Sequence, residues 1–471
     1  MQKIIEKPLI PLLLIAAAVR LLYLFDWHDV WWDSGVYIGM GKWLWSFGAA
    51  GLWEDIRPVL WPAILGFFWK LKLNPVGFAR AIMFVLSIAN VYLVFRIAER
   101  VFSKRTAALT TAMFAISPIF FFLGFHEYTE IPSLFFTLAA IWLFLQEKHY
   151  WAGLLIGLAF LTRFPIAIFG IPLGIVLLWK KAWKPLARLA AGFFTCLIPF
   201  LLFSWFLYGN PLTSLVEGQR IIGMVLGCTV LRYRPWYDYF VLLWLEHYFY
   251  VLAIPAMWFV RKTITKEKML IVLAAALPLL YFMLQPCRDY RYLLNVVPFV
   301  AMLSAFGIDQ SLVFVRNKKV HSWLFVVLLV ITLSMSLATA VVFYHGNENL
   351  KPDAAAEGYF TYLRDKNTTG EVWIANPIIA AYTDLSLKKI YYPVYDAGAA
   401  QTFSDYLQAN AQKIVYVAID NCGGGIICAA EDARCHEQHA QMQKFLEANF
   451  TLAYNQSTGE CWYKIYQQSQ T

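Results

Sequence analysis

The sequence predicts a mainly α-helical, polytopic membrane protein of about eleven transmembrane helices, with a C-terminal extracytoplasmic α/β domain. Three observations carry this. Of the 471 residues, 60% are hydrophobic and only 15% charged, with a mean hydropathy of +0.55. A water-soluble chain of this length has no use for that balance. Apolar runs that approach the roughly 30 Å of a bilayer core recur from residue 8 to residue 344. Beyond residue 345 these runs shorten and polar residues return. The chain thus divides into a membrane domain, 1–344, and a soluble α/β domain, 345–471.

Spans are expected near 8–25, 76–97, 106–124, 130–146, 151–164, 165–179, 189–208, 238–260, 269–285, 290–308 and 321–344. The first has a basic start but no small-residue cleavage site, so it reads as a retained span. Residues 59–69 are apolar but too few to cross, which makes them a re-entrant or interfacial piece. Basic residues collect in four loops: Arg96 to Arg105, Lys180 to Arg188, Arg261 to Lys268 and Arg316 to Lys319. Counting spans puts all four on the side of Lys3 and Lys7, which the positive-inside rule makes cytoplasmic. The net charge of +9 is therefore topological and does not point to nucleic acid. The expected protein is a multi-pass component of the cell membrane, N-terminus inside and C-terminal domain outside.

The first external loop, 26–75, contains WWDSGVYIGMGKWLWSFGAAGLWEDIRPVLWPAILGFFWK from Trp31 to Lys70. Asp33 follows two tryptophans, a residue type enriched at the membrane boundary, where an acid is expensive and usually functional. Val36, Met40, Trp43, Leu44 and Phe47 have helical spacing, so a short interfacial helix should carry Asp33 in its first turn. The helix dipole would help keep the carboxylate ionised there. The alternative is that Asp33 only caps that helix.

With W-D-S-x-x-Y at Trp32 to Tyr37 and R-P-x-L-x-P at Arg57 to Pro62, the chain resembles the protein O-mannosyltransferase and aminoarabinose lipid A transferase families. These belong to the C superfamily of membrane glycosyltransferases, which use polyprenyl-phosphate sugars. The resemblance implies that Asp33 is the catalytic base. Ser34 stands where a second acid is often found.

In the next external turn, FHEYTEIPSLFF, Glu130 opens a helix. The resemblance places such an acid at the active-site mouth; helix capping is the other reading. His126, Glu127 and Glu130 together are weak grounds for a divalent metal, and no metal or other cofactor is required by the expected chemistry. The segment GLAFLTR resembles a family motif in which the basic residue, here Arg163, faces lipid phosphate. Snorkelling to the surface is the alternative. The loop 209–237 is long enough to be a lid or acceptor-binding loop, with Arg232, Tyr233, Arg234 and Trp236 its candidates. An interfacial aromatic belt reads equally well. In RDYRYLLNVVP, which resembles the family pattern R-x-x-R-Y-L-L, Arg288, Arg291 and Tyr292 are further donor-phosphate candidates. Asp289 can pair with a neighbouring arginine at the same time.

In the tail, helices are expected over 354–365, around SDYLQANAQ and over 431–449. EVWIAN, KKIYYPV and KIVYVAID read as strands, and TLAYN with CWYKIY as a hairpin. Cys422, Cys428, Cys435 and Cys461 permit two disulfides in an oxidising compartment, while Cys435 with His436 and His439 has the makings of a zinc site. Two glycosylation-type sequons begin at Asn367 and Asn455.

The expected function is transfer of a sugar from a polyprenyl-phosphate donor to a hydroxyl on a protein, lipid or glycan acceptor, on the extracytoplasmic side and with inversion, in contact with membrane lipid. Arg57, Arg163 and Arg291 would stabilise the departing phosphate. A transporter or flippase of lipid-linked sugars is the alternative. It calls for charges near the midplane and an internal repeat, and neither is clear in the sequence. A non-catalytic assembly protein leaves WWDSGVY and RPVLWP unexplained.

Overall fold

In the computed structural model of the protein, the described residues are 8–24, 30–224, 235–285, 288–345, 353–390, 399–422, 428 and 432–468. The membrane domain comprises α1 (Leu9–Leu24), α2 (Trp32–Ser46), α3 (Leu60–Lys70), α4 (Pro75–Val101), α5 (Lys104–Phe114), α6 (Pro118–Leu123), α7 (Glu130–Leu145) and α8 (His149–Thr162). It continues with α9 (Gly170–Trp179), α10 (Trp183–Tyr208), α11 (Thr213–Met224), α12 (Asp238–Glu246), α13 (Ala253–Lys262), α14 (Lys266–Met283), α15 (Val297–Leu312) and α16 (Lys318–His345).

Every expected span coincides with helix, but the number eleven does not follow from the structure. Among the described residues, three helices are long and apolar enough to cross alone, and α12 with the segment Tyr248–Lys262 makes a fourth only as one span bent by 119°. The departures have local causes. The run expected over 106–124 breaks between α5 and α6 because Ser117, preceding Pro118, is extended at φ −63°, ψ 142°. The run 238–260 breaks at His247, which is extended and accepts from the Phe249 amide through Nδ1 at 3.2 Å. The start of the run 290–308 is a 3₁₀ turn, Tyr290–Asn295. Part of the outer loop 209–237 is the helix α11. Apolar side chains such as Phe206, 90% exposed, and Leu22, 77% exposed, cover the outside of the bundle. This is a surface suited to lipid.

The loop after α1 folds as a helical hairpin. Gly41 of α2 lies against Gly66 of α3 so closely that a Cβ on Gly66 would stand 2.1 Å from the Gly41 carbonyl oxygen. The turn between them uses left-handed residues, Phe47 at φ 55°, Gly48 at φ 88° and Gly51 at φ 78°. Helix α3 is the expected short piece, only 11 residues long.

The tail follows the expected order: α17 (Ala354–Thr361), β1 (Glu371–Ile374), α18 (Ile379–Tyr382), β2 (Leu387–Lys389), α19 (Ala399–Asn410), β3 (Ile414–Asp420), α20 (Ala433–Asn449), β4 (Phe450–Thr458) and β5 (Cys461–Gln468). The sheet runs β2-β1-β3-β5-β4, parallel through β3 and closed by the antiparallel β4–β5 hairpin. Ile414, Val417, Ile419, Leu446 and Tyr466 fill the core on one face of it. Cys422 is bonded to Cys461 and Cys428 to Cys435. The second bond removes the zinc alternative, since Cys435 has no thiolate to offer. His439 instead stacks on Trp462, with ring centroids 5.8 Å apart.

Candidate active site

Helix α2 delivers Asp33. Its N-cap is Trp31, extended at φ −83°, ψ 166°, and no side chain caps it. Asp33 is therefore not the cap, and its carboxylate faces inward to arginines. Oδ1 accepts from Arg57 Nη2 at 2.9 Å and Oδ2 from Arg291 Nη1 at 2.6 Å.

Each arginine is itself held. The loop before α3 brings Arg57, whose Nε meets Glu54 Oε2 at 3.0 Å and whose Nη1 reaches the Tyr37 hydroxyl at 3.4 Å. Glu54 also pairs with Lys389 of β2. Arg291 lies on the 3₁₀ turn before α15. Its Nε and Nη2 meet Asp289 Oδ2 at 3.0 and 2.9 Å, and Asp289 Oδ1 accepts the Arg291 amide at 2.9 Å. Arg291 Nη1 also stands 3.6 Å from Glu130 Oε1. Glu130, the first residue of α7, pairs with Arg163, the residue that ends α8. Tyrosines flank these cations: Tyr128 5.1 Å from Arg291, Tyr292 4.9 Å from Arg163 and Tyr37 5.6 Å from Arg57. Such faces favour a guanidinium.

The result is a continuous cluster in which Lys389, Arg57, Arg291 and Arg163 alternate with Glu54, Asp33, Asp289 and Glu130. Burial raises the Glu54 carboxyl, but Lys389 and Arg57 outweigh it and hold the group below its ordinary value. Burial works against the Arg57 charge as well; Asp33, Tyr37 and Glu54 overcome it. Balanced charge is what lets so many ionised groups persist out of water. Chemically, the site offers a carboxylate held by two guanidinium forks, with a third on the neighbouring Glu130, and such forks match phosphate oxygens.

The structure thus brings together Asp33, Arg57, Glu130, Arg163, Arg291 and Tyr292. Arg288 stands outside the cluster among the described residues; its Nε donates to the Met283 carbonyl at 2.9 Å. Trp236 is 59% exposed and packs edge-on to Tyr237, while Arg232, Tyr233 and Arg234 lie outside the described residues. The metal grouping does not form. Glu127 pairs with Arg80 at 2.7 Å, Glu130 turns to Arg163, and His126 packs on Trp31 and Tyr128. Among the described residues, no three side chains of metal-ligating type converge.

Glu54, Asp289, Tyr37, Tyr128 and Lys389 complete the site without having been singled out as site residues by sequence. Glu54 lies three residues before Arg57, a spacing that permits pairing in a turn. Nothing in the sequence distinguishes Lys389 from the neighbouring Lys388.

Parts of the chain are similar to known proteins. Residues 56–208 match the family model described as dolichyl-phosphate-mannose-protein mannosyltransferase, and residues 227–375 match the Alg9-like mannosyltransferase family. Each match covers about a third of the chain. A Dol-P-Glc:Glc(2)Man(9)GlcNAc(2)-PP-Dol alpha-1,2-glucosyltransferase from Homo sapiens is 28% identical over 139 residues, 28% of this chain and 27% of the relative. The Rattus norvegicus protein is 28% identical over 138 residues. The chain thus matches about a quarter of the length of these curated relatives. Among solved structures, ArnT from Cupriavidus metallidurans bound to undecaprenyl phosphate superposes with a TM-score of 0.65 at 13% identity, covering 96% of this chain and 97% of that one. The Archaeoglobus fulgidus oligosaccharyltransferase tethered to an acceptor peptide also gives 0.65 at 13% identity, covering 100% and 75%. At such identity the likeness establishes a shared fold.

Proposed function

We infer that this chain, whose fold is that of the C superfamily of membrane glycosyltransferases, transfers a monosaccharide from a polyprenyl-phosphate donor to a hydroxyl acceptor. The observation that carries this is the Asp33 carboxylate held between Arg57 and Arg291, with Arg163 beside them. The partial family matches and the glycosyltransferase relatives support the same chemistry.

Asp33 takes the proton of the acceptor hydroxyl as its oxygen bonds to the anomeric carbon. The bond from that carbon to the phosphate oxygen breaks, and its electron pair leaves with polyprenyl phosphate. Attack opposite the leaving group inverts the configuration. The arginine forks stabilise the charge that grows on phosphate, a contribution largest in a water-poor site. Both Asp33 oxygens are engaged by arginine. Donor phosphate drawing a guanidinium toward itself frees a carboxylate oxygen, so donor binding arms the base.

The acceptor is a hydroxyl on a protein, lipid or glycan, and the active site faces outward. The four basic loops and the two tail disulfides support that orientation. The test is to incubate the purified protein with a panel of polyprenyl-phosphate sugars and candidate acceptors, and to follow release of polyprenyl phosphate. Release that depends on both donor and acceptor is expected. Movement of an intact lipid-linked sugar across a vesicle membrane without cleavage would instead make the protein a flippase.

A further inference from the structure

We propose that the C-terminal domain is part of the donor-phosphate site, and that Lys389 is a positioning residue acting through Glu54 on Arg57. The inference rests on the glycosyltransferase reading above and adds to it a role for the tail.

The domain is built into the α2–α3 hairpin. Ser386 bridges to Gly51 as a short parallel pairing, with Gly51 N donating to Leu385 O and Leu387 N to Gly51 O, both at 2.8 Å. Strand β2 follows directly, so this pairing sets where Lys389 emerges. On the other side, Gly35 and Gly39 of α2 let the tail approach closely. A Cβ on Gly35 would stand 2.6 Å from the Pro377 carbonyl oxygen, and one on Gly39 would stand 2.9 Å from Ala380 Cβ. Buried Lys42 closes the dock, donating to the Thr383 carbonyl at 2.8 Å and pairing with Asp384 at 2.9 Å.

Lys389 reaches the cluster from this dock. Its side chain is 8% exposed, its ammonium lies 4.9 Å from the ring centre of Trp32, and it pairs with Glu54, whose side chain is 1% exposed. Glu54 spends one oxygen on Lys389 and the other on Arg57 Nε. Without Lys389, the buried Glu54 charge would fall on Arg57 alone. Arg57 would then be drawn from Asp33 and would yield less readily to an incoming phosphate. A lysine supplied more than 300 residues away in sequence thus sets how much of Arg57 remains for the donor.

The experiment measures binding of undecaprenyl phosphate to the full chain in nanodiscs, alongside turnover and thermal unfolding. Lys389→Met should weaken binding by about tenfold, and Lys389→Arg should stay within about threefold of the parent. The double variant Lys389→Met/Glu54→Gln removes both charges together and should recover most of the lost affinity. Lys42→Met, which weakens the dock away from Glu54, should lower the unfolding temperature with little change in affinity. Parent-like binding by Lys389→Met, a double variant no better than the single one, or an equal affinity loss in Lys42→Met would each overturn the positioning role. If Arg57→Ala and Arg291→Ala also bind like the parent, the glycosyltransferase reading itself fails. Lack of binding by the parent would overturn both.

Discussion

The α2–α3 hairpin and the exposed face of the C-terminal sheet hold charge in opposite ways, and strand β2 belongs to both. Lys389 points into the hairpin, 8% exposed, and serves a buried cluster in which acids and bases share partners. Lys388, one residue earlier and on the other face, is 46% exposed and pairs with Glu371 at 2.5 Å. Further along the same outer surface, Lys464 meets Glu447 at 3.4 Å. Alternation along a strand sends neighbours to opposite faces, so identical side chains arrive in unlike environments. Burial, rather than the presence of an ion pair, decides which charge matters.

The sharpest way to break this comparison is at Arg291, which serves Asp33 and Asp289 directly. Arg291→Ala leaves both acids short of a partner, a loss typically worth about 3–5 kcal/mol when a buried pair is broken. Turnover should fall by about two to three orders of magnitude. Arg291→Lys should restore only part of it, because lysine lacks the fork. Steady-state rates for both variants check this; an alanine variant within threefold of the parent would remove the clamp.

The tail has a buried charge of its own, Asp420, which accepts from Tyr359 Oη and Asn376 Nδ2 at 3.2 Å each. Burial raises its carboxyl to about 7, against the partial opposition of those hydrogen bonds. The folded domain therefore favours the protonated acid. That contribution is complete below the unfolded value, near pH 4, and is lost as pH rises through about 7. The stability of the full protein should decline over that range by an amount on the order of a few kcal/mol, read as a falling unfolding temperature, and Asp420→Asn should flatten the decline. An unchanged slope in the variant would contradict it.

A smaller effect is expected at the seam between the two regions. Gly39→Val puts a branched side chain where a Cβ already stands 2.8 Å from Leu52 Cγ. Overpacking of this kind costs about 1–3 kcal/mol, read as a lower unfolding temperature. Smallest of all, Lys388→Met should alter stability by less than about 1 kcal/mol and leave turnover within about twofold. A large loss there would erase the distinction between the faces of β2.

The two regions were also legible in the sequence to different degrees. The cost of charge near the bilayer marked Asp33 and Arg163, and the family resemblance marked Arg57, Glu130 and Arg291. Their convergence was not readable, since it depends on how α2, α7, α8 and the turn before α15 pack. In the tail, alternation and β-branched runs located the strands, but nothing local separates Lys389 from Lys388. That difference arises only from the pairing of Ser386 with Gly51. Helix breaks at Ser117 and His247 escaped notice because long apolar runs flank both the Ser117-Pro118 and the Glu246-His247 interruptions.

Asp33→Asn tests the central claim most directly, read by turnover together with undecaprenyl phosphate binding. Asparagine keeps the size of the side chain and one acceptor for the arginines, while losing the charge and the basicity. The account predicts a fall in turnover of about a hundredfold to ten-thousandfold, with phosphate binding retained or tightened as the arginines are released. Turnover close to that of the parent would contradict it and place the base elsewhere, with Glu130 the next acid in the cluster.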